Sequence, residues 1–125
     1  MFGIGIDLIE IERIEKSMAK TSFLTRFFGE HEISEYRARG ERSSYIAANF
    51  CAKEAFSKAI GTGIRSFALK EVELLRDSLG KPHLVFSGRA AKLVEDMGLA
   101  FEASVTHTKR YAAVVVIAVM KEALK

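Results

Sequence analysis

The chain has 125 residues, and Lys+Arg 19 against Asp+Glu 16 gives a formal net charge of +3. That length suits one domain and is short for two, while 49% hydrophobic and 28% charged residues make a globular mixture and argue against disorder. The single cysteine, Cys51, excludes an intramolecular disulfide framework and a cysteine zinc cluster. No signal-peptide pattern opens the chain, and the longest apolar run, Tyr111 to Met120, is far short of a membrane span, so a cytoplasmic location is expected.

No repeat, linker or low-complexity block divides the chain, so residues 1–125 are read as one unit. Phe2 to Leu8 has strand alternation, with large apolar residues at even positions and Gly3, Gly5 and Asp7 on the other face. From about Ile9 the period changes: Ile11, Ile14 and Met18 form a narrow apolar stripe on a first helix ending near Lys20, with Leu8 about one turn earlier. A helical turn over Phe23 to Phe28 is closed by Gly29, and a helix over Glu30 to Arg39 is stopped by Gly40. The clearest helix runs from about Arg42 to Ile60, with Tyr45, Ala48, Ala52, Phe56 and Ala59 as its buried stripe and Gly61-Thr62-Gly63 as its end.

The second half is richer in strand. Phe67 to Arg76 and His83 to Phe86 flank a turn-bearing Asp77-Ser78-Leu79-Gly80-Lys81-Pro82 segment suited to a hairpin. A short helix over Gly88 to Met97 ends at Gly98. Phe101 to Thr106 and Tyr111 to Met120 then pair through a turn at His107 to Arg110. The last strand is apolar on both faces and is expected to be covered on both. The fold class is α+β, with an antiparallel sheet packed against a long helix.

Three features are able to carry chemistry. Asp7 lies inside an apolar strand, where a carboxylate must be solvated, paired or metal-bound; Gly3 and Gly5 beside it leave room for another backbone or a ligand. The plain alternative is a strand-end Asp that caps the next helix. Glu54 and Lys58 share one helical face, which by itself describes an ordinary solvated ion pair. Placed beside Asp7, Glu54 would instead help hold a hard cation such as Mg2+, which takes one or two carboxylates plus water and phosphate oxygens. Lys58 would then meet a phosphate as a point charge. His107-Thr108, at the tip of the last hairpin, has groups that bond a phosphate or handle a proton, although most turn histidines do neither.

Other polar residues read more simply. His31 and His83 have no ligand partner at metal-binding spacing and are taken as surface residues, and Cys51 as a small packed one. Arg13, Lys16 and Lys20 form one basic face on the first helix, either merely solvated or a docking face for an acidic protein. There is no Walker loop, dinucleotide fingerprint or nucleophile elbow, and basic residues are not interleaved with aromatics as in nucleic-acid binders.

Gly3-Ile4-Gly5-Ile6-Asp7-Leu8 with Arg13-Ile14, then Ala52-Lys53-Glu54-Ala55-Phe56-Ser57-Lys58-Ala59 with Gly61-Thr62-Gly63, then Thr106-His107-Thr108 before Tyr111-Ala112-Ala113, resemble holo-acyl carrier protein synthase over nearly the whole chain. This family is the short bacterial type of phosphopantetheinyl transferase. The resemblance implies transfer of 4′-phosphopantetheine from coenzyme A to a serine of apo-acyl carrier protein, in support of fatty acid biosynthesis, with release of adenosine 3′,5′-bisphosphate. It implies Mg2+ held by Asp7 and Glu54, and Lys58 on the leaving phosphate. The serine proton would pass to one of these carboxylates or to water, an alternative the residues leave open.

It further implies that Lys58, Gly61, Lys81, Pro82, His107 and Thr108 line the coenzyme A site, and that Arg13, Lys16 and Lys20 face the acidic carrier. The resemblance also implies a homotrimer with sites shared between neighbouring subunits. Asn49 departs from the family pattern, standing where related sequences often carry an Arg able to grip the 3′-phosphate bidentately; Arg42, two turns earlier on the same helix, is a possible substitute. Two other readings compete. In one the chain is a non-enzymatic module for an acidic protein; in the other it is a metal-dependent hydrolase that cleaves coenzyme A with water.

Overall fold

The computed structural model describes residues 1–124, and the side chains of all of these except 64, 65, 123 and 124. Ten main elements follow one another: β1 (Gly3–Glu10), α1 (Ile11–Met18), α2 (Phe23–Phe27), α3 (Glu30–Ala38), α4 (Ser43–Ile60), β2 (Val72–Arg76), β3 (Pro82–Phe86), α5 (Gly88–Met97), β4 (Leu99–His107) and β5 (Tyr111–Met120). β5 is the centre of an antiparallel sheet ordered β1-β5-β4, and β2 and β3 form a separate antiparallel hairpin. α4 packs across the first sheet as the hub of the core.

The packing of β1 on α4 follows from residue size. The odd positions of β1 face the helix, and a methyl group added at Gly3 would lie 2.0 Å from the Ala59 carbonyl oxygen. One added at Gly5 would lie 1.9 Å from that of Ala55. Only glycine permits this approach. The partner that comes close is thus a helix backbone and not a ligand. The large even residues point outward, leaving Ile4, Ile6 and Leu8 at 58%, 64% and 64% exposure. Leu8 is therefore not part of the α1 stripe, whose Ile11 and Ile14 are buried as expected.

Several boundaries move. β1 persists to Glu10 because it pairs with β5 up to Tyr111, so α1 begins two residues later than expected and ends at Met18. The strand expected over Phe67 to Arg76 begins only at Val72; before it lies a 3-10 turn in which the Glu71 carboxylate accepts from the Ala68 N–H at 2.8 Å. α4 is buried nearly all round, not along one stripe, because its small residues let β1, β5 and the aromatic core approach from several sides. Phe56 there meets Phe67, Phe86 and Phe101 with ring centroids 5.3, 5.1 and 5.2 Å away. β5 buries Ala112, Val114, Val116 and Ala118 on α4, while its other face is only half-buried. The two-sided cover expected for this strand is thus not supplied by this chain alone.

Charge is also buried in the core. Lys53 and Glu32 have no exposed surface, and the Lys53 ammonium donates to Glu32 Oε1 at 2.6 Å and to the Val72 carbonyl at 2.5 Å. Glu32 also accepts from the Gly29 N–H, the Leu74 N–H and the Asn49 amide. Burial pushes the Lys53 ammonium down and the Glu32 carboxyl up, and their mutual attraction opposes both. This knot ties α3, α4 and β2 together.

Candidate active site

The glycine spacing that seats α4 on β1 also sets the site. Two strand residues advance about 6.6 Å and four helical residues about 6 Å, so steps of two on β1 match steps of four on α4. Gly3 meets Ala59 and Gly5 meets Ala55; the next step brings Asp7 to the level of Cys51, with Glu54 and Lys58 flanking. Asp7 and Glu54 line one cleft with Arg13, Ile14, Phe23 and Phe50. The Lys58 ammonium donates to the Ile6 carbonyl at 2.9 Å and reaches Asp7 Oδ1 at 3.5 Å. Asp7 caps no helix: the residue before α1 is Glu10, and it makes no side-chain cap.

The electrostatics suit a cation. Partial burial raises the Glu54 carboxyl above its ordinary range, the Asp7 charge raises it further, and Lys58 offsets part of this. Cys51 points the same way, since burial and then the Asp7 charge push its thiol up, and Sγ donates to the Ala112 carbonyl at 3.5 Å. It is an inert packed residue. Among the described residues no group of three or more His, Cys, Asp or Glu is gathered to enclose a metal. Two carboxylates facing a solvent-open cleft fit a hydrated Mg2+, which keeps several waters or phosphate oxygens.

The other expected residues lie elsewhere. His107 ends β4, and the Thr108 hydroxyl accepts from the Arg110 and Tyr111 N–H groups at 3.3 and 3.1 Å, closing the hairpin tip. Two adjoining clefts of about 860 and 450 Å3 share Arg42, Ser44 and His107. Thr108 lines the larger, and Arg39, Tyr45 and Arg76 line the smaller. Pro82 pairs with Arg76 across the β2–β3 hairpin, and Lys81 is exposed and 3.6 Å from Glu102. Gly61, in the left-handed conformation with φ 78°, ends α4 one turn beyond Lys58.

The expected site residues thus form two groups. Asp7, Glu54, Lys58 and Gly61 stand on the β1 side of α4, and Pro82, His107 and Thr108 lie toward the start of α4. Tyr45 and Glu54, which mark the two, are about 14 Å apart along the helix axis. On the proposed carrier face, Arg13 lines the carboxylate cleft, Lys16 pairs with Glu12 at 3.6 Å, and Lys20 is exposed beyond α1.

Asn49 is wholly buried, donating to Glu32 and to the Leu74 carbonyl, so it presents nothing to a ligand. Its Oδ1 instead accepts from the Arg76 guanidinium at 2.7 Å. Arg76 reads from the sequence as an ordinary strand-end arginine; the one signal is Asn49, a polar residue within the Ala-rich stretch of α4.

The sequence profile of the 4′-phosphopantetheinyl transferase superfamily matches residues 3–116. A holo-[acyl-carrier-protein] synthase of Fusobacterium nucleatum is 42% identical over 119 residues, covering 94% of this chain and 98% of that protein. The crystal structure of the holo-[acyl-carrier-protein] synthase of Neisseria meningitidis superposes with a TM-score of 0.87 at 30% identity, over 95% of this chain and 98% of that one. The synthase of Bacillus anthracis, solved in complex with CoA (3′,5′-ADP), gives a TM-score of 0.79 at 35% identity, over 94% and 95% of the two chains.

Proposed function

From the premise that this chain belongs to the 4′-phosphopantetheinyl transferase superfamily, we infer that it is a holo-acyl carrier protein synthase. It transfers 4′-phosphopantetheine from coenzyme A to a serine hydroxyl of apo-acyl carrier protein and releases adenosine 3′,5′-bisphosphate. The observation that carries this reading is the Asp7–Glu54 carboxylate pair, brought to one cleft by the β1–α4 contact with the Lys58 ammonium 3.5 Å from Asp7.

Asp7 and Glu54 are the residues that would hold Mg2+, which when bound would supply neutralisation of the pyrophosphate charge and so leave the β-phosphorus open to the acceptor. Lys58, half-exposed beside Asp7, offers its ammonium to the leaving phosphate. A carboxylate oxygen of Asp7 or Glu54, or water beside them, takes the serine proton. Arg13 at the mouth of the cleft, with Lys16 and Lys20 on the same side, attracts the acidic carrier and speeds encounter.

The active unit is a homotrimer whose clefts are completed by neighbouring copies. Two features support this. The 3′-phosphate and 5′-pyrophosphate of coenzyme A hang a few bonds apart on one ribose, yet the two groups of site residues are separated along α4 within one chain. The apolar outer faces of β1 and β5 also need a cover that this chain does not provide. Gly61, Lys81, Pro82, His107 and Thr108 then line the nucleotide part of the cleft. No helix among the described residues is long and apolar enough to cross a membrane, and the proposed place of action is the cytoplasm, where fatty acid synthesis needs the modified carrier.

The test mixes the protein with coenzyme A, Mg2+ and apo-acyl carrier protein and records the carrier's intact mass. A gain of one phosphopantetheine, lost with EDTA or with the carrier's acceptor serine changed to alanine, is expected. Coenzyme A cleaved equally well without any carrier would replace the transferase by a hydrolase.

A further inference from the structure

The pocket at the start of α4 brings Arg39, Arg42, Arg76, Ser44, Tyr45 and His107 around about 450 Å3. Arg76 is held with unusual care for a strand-end residue. Its Nη1 donates to Asn49 Oδ1 at 2.7 Å and to the Leu74 carbonyl at 3.3 Å, and its guanidinium lies 4.3 Å from the Tyr45 ring centroid. All of these hydrogen bonds leave from one nitrogen; the other guanidinium donors make none among the described residues. Glu35 is the carboxylate that reaches these arginines, 3.8 Å from Arg76 Nη1 and 3.7 Å from Arg39 Nε, and it is already occupied by the Tyr45 hydroxyl and the Arg76 N–H. Arg42, exposed at the rim, has no side-chain partner among the described residues. The wall of this pocket therefore carries three guanidinium groups and no carboxylate, while Glu10, Glu12, Glu15 and Glu41 line the adjoining cleft.

Fixed planar guanidinium groups match the oxygens of a phosphate monoester, which is close to a dianion at neutral pH. Resting on the transferase reading above, we propose that Arg76, oriented by Asn49 and joined by Arg42, binds the 3′-phosphate of coenzyme A, so that the strand β2 supplies the arginine that α4 lacks at position 49. Asn49 is the positioning residue: its amide is spent inside the core on Glu32 and Leu74, and its carbonyl turns Arg76 into the pocket. The pocket thereby selects the donor by a group that takes no part in the bond being broken.

Calorimetric titration with adenosine 3′,5′-bisphosphate and with AMP tests this without relying on turnover. The parent chain is expected to bind the bisphosphate at least about tenfold tighter. Arg76→Gln should weaken bisphosphate binding by about tenfold to a hundredfold, the range for charged hydrogen bonds, and leave AMP within about twofold. Arg42→Ala, on an exposed side chain, should show the same selectivity at smaller size and decides the matter if Arg76→Gln fails to fold. Equal losses for both nucleotides, or an unchanged bisphosphate affinity in both variants, would overturn the assignment. Transfer from coenzyme A against 3′-dephospho-coenzyme A then separates the two layers. A chain that distinguishes the nucleotides but transfers nothing to apo-carrier keeps the phosphate pocket and loses the transferase reading.

Discussion

Adding a single methyl group at Gly5 tests the whole account of how the site is assembled. The Cβ of Gly5→Ala would sit 1.9 Å from the Ala55 carbonyl oxygen and 2.8 Å from the Ala59 nitrogen, both of them backbone atoms of α4. Carbon–oxygen contacts settle near 3.3 Å, so the helix has to withdraw by about 1.4 Å. A backbone yields less readily than a flexible side chain, which places the cost near the upper end of the ~1–3 kcal/mol range for overpacking. Replacing glycine returns about 0.5–1 kcal/mol of unfolded-state entropy. The net expectation is a loss of about 2 kcal/mol, a large part of a ~5–15 kcal/mol stability. Urea unfolding followed by far-UV circular dichroism, at one fixed protein concentration, measures it. Because the same displacement parts Asp7 from Glu54, Mg2+ affinity should fall in the folded fraction as well. Stability within about 0.5 kcal/mol of the parent would refute the claim that the glycines are there to admit the helix.

Glu54→Gln should remove Mg2+-dependent transfer by at least about a thousandfold while the thermal unfolding midpoint stays close to the parent's; an unchanged rate in the carrier mass assay would remove Glu54 from the cation site. Lys53→Met strands the buried Glu32 carboxylate and should cost about 3–5 kcal/mol in denaturant titration, with much of the loss recovered when Glu32→Gln is added. The raised Glu54 carboxyl implies that protons compete for the site at higher pH than at an ordinary glutamate. Mg2+ affinity measured by calorimetry should therefore weaken as pH falls, starting above the usual carboxylate range. Ile6→Ser, on the outward face of β1, should leave the helical circular dichroism signal intact and shift sedimentation from trimer toward monomer.

Much of this was legible in the sequence because the signals are local. Gly61 and Gly98 take the left-handed conformations that end α4 and α5, and the hairpins were marked by turn residues. What failed depends on partners distant in the chain. The alternation of β1 is plain in the sequence, but nothing in it says which face is inside. A strand with glycines inward and isoleucines outward inverts the usual rule, and only the backbone of α4 explains it. The Lys53–Glu32 pair was invisible for a similar reason: each residue looks like a solvent-facing charge until the other arrives from a different helix. Asn49 departs from a family pattern, yet its meaning lies in Arg76, which comes from a strand further along the chain.

The pairing of β1 with β5 has a consequence for the order in which the molecule forms. Gly3 lies opposite Ala118 and Glu10 opposite Tyr111, so this ladder joins segments roughly a hundred residues apart. Closing so long a loop costs entropy that local contacts cannot repay in advance. The β4–β5 and β2–β3 hairpins, and α4 on its own, have no such delay. β1 is thus the late addition, docking its glycines into a groove that α4 and β5 have already made. Since Asp7 travels with it, the cation site is among the last parts of the protein to exist, and refolding followed by Mg2+ binding should lag behind refolding followed by helix content.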